Sequence, residues 1–186
     1  THANTNNSTI KTVLDNWYKS NIEGTTNEQY VVDAIYCNDR EIGNSSGYNY
    51  YKAYNRLISS KEPSLKCGQV NDMFAKNMKI NNIEVNGALT YPIGLITADE
   101  VAYAGGVYAQ TNASYYLYIG NSFWTMSPSY GSSYISEYVF YVIANGDLDN
   151  RSGGVSANFA VRPVISILGT ALNSGTGTKT KPFRIS

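Results

Sequence analysis

Between Tyr115 and Pro163 the chain interleaves aromatic and small polar residues and contains no histidine, cysteine or lysine. β-Branched and aromatic residues at such density favour strands over helices, so this half is expected to be β-structured from Tyr115 onward. Tyr138 to Ile143 reads as a strong strand, and Asn145-Gly146 is the signal of a two-residue type I′ hairpin. Ala160 to Leu168 reads as the last strong strand, alternating around Val161, Pro163, Ile165 and Ile167. Nine of the seventeen tyrosines lie between Tyr103 and Tyr141. Large, rigid, amphipathic rings beside Ser, Gly and Asn suit recognition more than chemistry.

The first half carries the helical signals. Ser8 is placed as an N-cap, and Ile10, Val13, Leu14 and Trp17 form an apolar stripe, predicting an amphipathic helix from Thr9 to about Ser20. Tyr30 to Tyr36 reads as a strand leading into Cys37. A polar, tyrosine-bearing segment with Tyr48, Tyr50, Tyr51 and Tyr54 follows without periodicity. Asn81-Asn82 and Asn86-Gly87 are turn signals. Tyr91 to Ile96 is a short strand, and Thr97-Ala98-Asp99-Glu100 is a capping box opening a short helix over about 98–104 that Gly105-Gly106 ends. The expectation is one α+β domain over residues 1–186, with two short helices and a twisted, mainly antiparallel sheet built from the C-terminal half.

Charge narrows the function classes. Fourteen acidic and fourteen basic residues cancel, only 15% of residues are charged, and no basic cluster offers a footprint for nucleic acid. Twenty-one asparagines and sixteen glycines fit a turn-rich structure. No stretch approaches the roughly 20 apolar residues that span a bilayer. No signal region opens the chain, which implies a removed leader or a fragment of a longer protein. Cys37 and Cys67 admit one pairing, a bridge worth roughly 3–4 kcal/mol in the chain-entropy model. Two independent buried thiols are the other reading. Low charge with abundant Tyr, Asn, Ser and Thr favours the bridge and an extracellular or cell-surface location.

Catalytic signals are sparse. The one histidine is His2, in a polar terminus, so a Ser-His-Asp triad is not expected, nor is a zinc site. Asp39-Arg40-Glu41 reads as an ion-paired loop beside the cysteines rather than as a catalytic cluster. Asn145, Asp147, Asp149 and Asn150 gather oxygen donors of the kind calcium prefers, but their spacing matches no complete calcium loop. No metal or cofactor is expected. Trp124, beside Phe123, reads first as a core anchor and second as a ligand platform. Arg162, between Val161 and Pro163, reads as a structural guanidinium rather than a recogniser of anions.

Phe123-Trp124-Thr125-Met126-Ser127-Pro128, the strand–Asn-Gly-Asp–strand segment and Val161-Arg162-Pro163-Val164-Ile165-Ser166-Ile167 together resemble the C-terminal half of the C-type-lectin-like fold, in the branch shared with formylglycine-generating enzymes. Ser8-Thr9-Ile10-Lys11, Asp15-Asn16-Trp17-Tyr18, Cys37-Asn38-Asp39-Arg40, Leu65-Lys66-Cys67 and Tyr91 to Glu100 resemble exported surface or pilin-associated proteins of gut bacteria. Formylglycine-generating enzymes use a late cysteine pair. Residues 100–186 have no cysteine, so that activity does not carry over. Variable proteins of diversity-generating retroelements use the same part of the fold as a binding face rich in Tyr, Asn, Ser and Asp, and Tyr115–Asn158 is similar in composition.

The resemblance implies a non-catalytic binding or adhesion module whose ligand is a glycan or protein on another cell, host or phage surface. A structural spacer of a surface appendage is the alternative, and an enzyme on this fold the second. The recognising face is expected among Tyr130, Tyr134, Asn145, Asp147, Asp149, Asn150 and Asn158. Ser127 to Ser136 has no apolar periodicity, and a hairpin tip at Asn145-Gly146 would hold its polar side chains in solvent. Tyr130 and Tyr134 folded back over the sheet as a lid is the competing reading.

Overall fold

Ser8 opens the first helix, its hydroxyl accepting a hydrogen bond from the Lys11 amide at 3.1 Å. The computed structural model describes residues 7–45, 48–131, 138–150, 157–178 and 180–185, and within it α1 spans Thr9–Asn21. Its buried face differs from the expected stripe. Leu14 and Tyr18 are buried, with Ile10 and Ile22 packed beside them, whereas Val13 and Trp17 remain 45% and 37% exposed. A helix offers both i+3 and i+4 rows. The i+4 row through Ile10, Leu14, Tyr18 and Ile22 meets the core here, and Tyr18 stacks on Tyr91 with centroids 4.8 Å apart.

After α1 come β1 (Val31–Val32), β2 (Tyr36–Cys37), β3 (Ile42–Ser45) and β4 (Asn49–Tyr51). A helical segment follows, in which α2 (Lys52–Tyr54) continues as a π-helix over Asn55–Ser60. Next are β5 (Met73–Ala75), β6 (Lys79–Ile80), β7 (Ile83–Glu84), β8 (Gly87–Ala88), β9 (Gly94–Leu95) and α3 (Ala98–Tyr103). The remaining strands are β10 (Phe123–Gly131), β11 (Tyr138–Val142), β12 (Leu148–Asp149), β13 (Pro163–Val164), β14 (Ser166–Ile167), β15 (Leu172–Ser174) and β16 (Arg184–Ile185). The architecture is mixed α+β. Among the described residues no helix is long and apolar enough to cross a membrane.

The main sheet has the order β12-β11-β10-β4-β3, and its recorded pairings are antiparallel. β10 is its centre and is covered on both faces. Alternate residues of a strand point to opposite faces. Phe123 accordingly joins Phe140, Val142, Leu148, Val101 and Leu57 on one side, while Trp124 joins Tyr141, Leu14, Tyr18, Ile93 and Leu95 on the other. Trp124 is thus a core anchor, 5% exposed. The polar residues of β10 are buried but partnered. Thr125 donates to the Phe140 carbonyl at 2.6 Å, and Ser127 accepts from the Ala98 amide at 3.0 Å, which ties α3 to the strand. Pro128, which has no amide to donate, sits between two register shifts.

Several local expectations hold in detail. Thr97 and Glu100 cap each other reciprocally, at 3.1 Å and 2.7 Å, and Gly105, at φ +108°, follows the helix they open. Asn81 and Asn82 take the left-handed conformation between β6 and β7. Gly94 is required by close approach, because a Cβ there would lie 2.5 Å from the Tyr36 ring. Arg162 is structural: it donates to the Leu117 carbonyl, and its guanidinium lies 5.1 Å from the Phe123 ring centroid.

Other expectations are corrected. The sheet is not built from the C-terminal half alone, since β3 and β4 supply one side of it. Tyr30 to Tyr36 does not form one strand but a 3₁₀ turn and two short strands with different partners. Tyr115 to Gly120 is turned rather than extended, and the Tyr118 amide bonds back to the Tyr115 carbonyl at 3.1 Å. Ala160 to Leu168 is split because it changes partner: β13 pairs with β9 and β14 with β1. Gly146 donates to the Ile143 carbonyl at 2.8 Å and has φ +87°, while Asn145 has no positive φ. That is a type I turn with a glycine bulge, not the two-residue type I′ turn expected. The segment from Lys52 to Ser60 adds a third helical element, burying Ala53 and Leu57.

Cys37 and Cys67 form a disulfide, closing a sequence separation of 30 residues. The segment between them carries β3, β4 and the α2 helix. Because the bridge restricts the unfolded chain, reducing it should lower unfolding free energy by roughly 3 kcal/mol. Urea denaturation with and without reductant measures this, and unreduced protein should weigh two hydrogens less than reduced protein.

Candidate functional site

Five tyrosines from three strands and a helix meet at one end of β10. Strand pairing sets Tyr130 opposite both Tyr50 on β4 and Tyr138 on β11, so the three side chains share a face. Tyr54 follows Tyr50 by four residues, on the first turn of the helix, and Tyr48 lies just before β4. Tyr130 and Tyr138 stack at 4.6 Å with their planes 6° apart. Tyr50 lies 4.5 Å from Tyr54 and 5.8 Å from Tyr130. Tyr48 and Tyr54 meet Tyr130 edge-on, at 6.5 Å and 6.1 Å. Aromatic pairs at these separations add about 0.5–1.5 kcal/mol each beyond burial.

The cluster is partly exposed. Tyr48 is 43% exposed, and the other four tyrosines are half-buried. Burial first, then the neighbouring phenols Tyr138, Tyr50, Tyr54 and Tyr48, raise the Tyr130 hydroxyl above its usual 10.0. Burial, then Tyr50, does the same at Tyr54. These hydroxyls therefore stay neutral at physiological pH and offer both donors and acceptors beside flat apolar rings. Such a surface can stack and hydrogen-bond. Among the described residues there, no nucleophile is paired with a base.

A buried ionic cluster holds the segment that carries three of these rings. Arg56 grips Asp99 with two hydrogen bonds, at 2.9 Å and 2.8 Å, and pairs also with Asp39. The Ser64 amide donates to the same Asp99 carboxylate at 2.7 Å. Arg40 pairs with Asp72 at 2.9 Å, and Lys52 with Glu41 at 2.5 Å. Asp39-Arg40-Glu41 is thus an ion-paired loop, as expected. Burial alone would weaken the Arg56 proton, but the hydrogen bonds and charges of Asp99 and Asp39 hold its pKa above the usual value. The two carboxylates must share that one guanidinium. At Asp39 burial outweighs what Arg56 returns, and the carboxyl is raised above its ordinary 3.8.

The expected binding residues do not gather on one surface. Tyr130 lies in the cluster, and Tyr134 falls outside the described residues. Asn145 is exposed and donates to Thr111 at 3.0 Å, but Asp147, Asp149 and Asn150 are buried, correcting the expectation that they face solvent. Their burial follows from the bulged turn and from the short β12, which draws the chain back over the core. Asn150, 1% exposed, donates to Ser129 at 2.5 Å and accepts from Tyr108 at 3.1 Å, so it is a structural peg. Asn158 is exposed, but the flanking chain pairs with Ser122 and Trp124. That is the far end of β10 from Tyr130, about 20 Å away at strand rise. No group of three or more His, Cys, Asp or Glu side chains among the described residues could hold a metal ion.

Sequence reasoning missed Tyr48, Tyr50, Tyr54 and Tyr138. The signal was present, as two-residue spacing at Tyr48 and Tyr50 and four-residue spacing from Tyr50 to Tyr54. It reads as general tyrosine richness until β4 is paired with β10. No family model matches the chain, nor does any curated protein or solved structure.

Replacing Arg56 with Met would strand two buried carboxylates and should cost about 3 kcal/mol or more. The near-UV signal of the tyrosines should weaken with it. Asp39→Asn tests the strained carboxyl. An acid whose pKa rises on folding contributes stability at low pH and loses it as pH climbs through the raised value. The native protein should therefore lose stability relative to Asp39→Asn as pH increases above 3.8, levelling once Asp39 is ionised. Denaturant titrations across that range read the difference.

Proposed function

We propose that this chain is an exported, non-catalytic binding module, and that its recognition face is the tyrosine cluster around Tyr130. The observation that carries this reading is the partly exposed cluster of five rings built from neutral side chains of one type. Rigid aromatic anchors lose little entropy on binding and commonly dominate interface energy. The ligand is a glycan or a protein on another cell, host or phage surface. The Cys37–Cys67 bridge supports export to an oxidising compartment, extracellular or at the cell surface.

The scaffold, in this reading, is a C-type-lectin-like fold of the formylglycine-generating-enzyme branch. Its support is the place of the resembling motifs. Phe123 to Pro128 forms most of the central strand, and Val161-Arg162-Pro163 leads into the strand paired with β9. Both cysteines are joined to each other, which supports a binding role over the enzyme reading.

A glycan and protein array probed with the purified chain should yield a ligand. Tyr48→Ala should then reduce attachment at least tenfold, about 1.4 kcal/mol, with only a small fall in melting temperature, because the ring is at the cluster's exposed rim and, among the described residues, pairs with Tyr50 and Tyr130 alone. Tyr130→Ala should reduce attachment further and also lower the melting temperature, since that ring touches the other four. Attachment unaffected by either substitution would leave the cluster as packing alone and favour the spacer.

A further inference from the structure

A second concave site lies away from the tyrosines, between the start of α1, the small β2-β5-β8 sheet, β9 and the middle of β10. Its volume is about 520 Å³, within the roughly 300–1,000 Å³ of small-molecule pockets. The floor is apolar. Leu14, Ile93 and Leu95 are buried beneath it, and Tyr36 and Phe74, opposite each other across β2 and β5, form one wall. The Tyr36 hydroxyl is already committed to the Pro92 carbonyl at 2.7 Å, so the ring presents only carbon to the cleft.

The charged lining has one sign. Among the described residues that line the cleft, Lys11 and Arg40 are the charged ones, and none is Asp or Glu. Each cation has a carboxylate behind it, Asp15 for Lys11 and Asp72 for Arg40, and each keeps donors in reserve. Arg40 spends Nε on Asp72 and Nη2 on the Asn71 carbonyl, leaving Nη1. Lys11 spends one of three ammonium hydrogens. A ligand that fills the floor with carbon and brings an anionic group would find donors on Lys11 and on Arg40. A cationic ligand would meet two like charges, and a fully polar one would leave the floor unmatched.

We infer that this cleft binds a small amphipathic carboxylate, with its alkyl or aryl body on Leu14, Phe74 and Ile93 and its carboxylate at Lys11 and Arg40. The site is independent of the tyrosine face. Octanoate and 4-phenylbutyrate serve as probes of the two body types, with octanol and octylammonium as matched neutral and cationic controls. Isothermal titration of the intact chain should show at least one carboxylate binding about tenfold more tightly than octanol, and octylammonium weakest. Lys11→Met keeps the side chain's length and removes its charge. It should abolish the preference for the carboxylate while octanol binding is unchanged. Thr90→Trp, at an exposed position of the lining, should block every probe. Circular dichroism and the melting temperature establish that each variant is folded, and Lys11→Gln replaces Lys11→Met if the latter is not. Failure of both carboxylates to bind at millimolar concentration, or octanol binding in the native chain as tightly as the better-bound carboxylate, would overturn the inference. So would a carboxylate preference that survives both Lys11 substitutions.

Discussion

A strand buried on both faces must find apolar partners on each, and β10 does so by alternation. Phe123 enters the core formed with α3, the helix after β4 and β11, while Trp124 enters the core formed with α1 and β9. Neither core could close without this strand. Its hydroxyls are part of the same solution. Thr125 and Ser127 are buried where a larger apolar residue would also fit the pattern, but they hold the Phe140 carbonyl and the first turn of α3. An unsatisfied buried backbone group costs about 1–3 kcal/mol, so these two hydroxyls add to what the rings beside them contribute.

The segment between the cysteines depends on β10 for its position and on charge for its rigidity. β4 adds to the strand's far end through Tyr50 and Asn49. Arg56 then ties the following helix to Asp99 at the start of α3. Disulfide, sheet pairing and ion cluster thus constrain one stretch from three directions. Tyrosine rings at contact distance can stay partly exposed there because the backbone beneath them is held. A flexible loop would bury the same rings against the nearest apolar surface.

The two concave or aromatic surfaces use different halves of that framework. The tyrosine face draws on β4, β10, β11 and the helix after β4, and its side chains are neutral. The cleft draws on α1, β2, β5 and β9, and its charged groups are cationic. Recognition at the first would rest on stacking and hydroxyl hydrogen bonds. At the second it would rest on apolar volume with a charge at the mouth. The two lie at different places along β10, which lends Tyr130 to the tyrosine face and Thr125 and Met126 to the cleft.

Local chemistry alone determined the start of α1 at Ser8, the Thr97–Glu100 box, the strand character of β11, and the buried, structural roles of Trp124 and Arg162. Each follows from neighbours within a few residues or from side-chain type. Ser127 to Gly131, without apolar periodicity, became strand only as the second half of β10. Which row of α1 is buried was open to both helical spacings, and only the packed core chose Leu14 and Tyr18 over Val13 and Trp17. The Asn-Gly signal marked a turn, but the bulge that buries Asp147 and Asp149 came from the pull of β12 toward the core. The candidate site was legible only at Tyr130. Its partners are distant in sequence, and their convergence depends on the β4–β10 pairing, a long-range contact whose loop-closure cost is repaid only once the whole sheet forms. Sequence thus determined those elements whose signals are local. Tertiary structure decided which faces they share, because burial is a property of the assembled core rather than of any one segment.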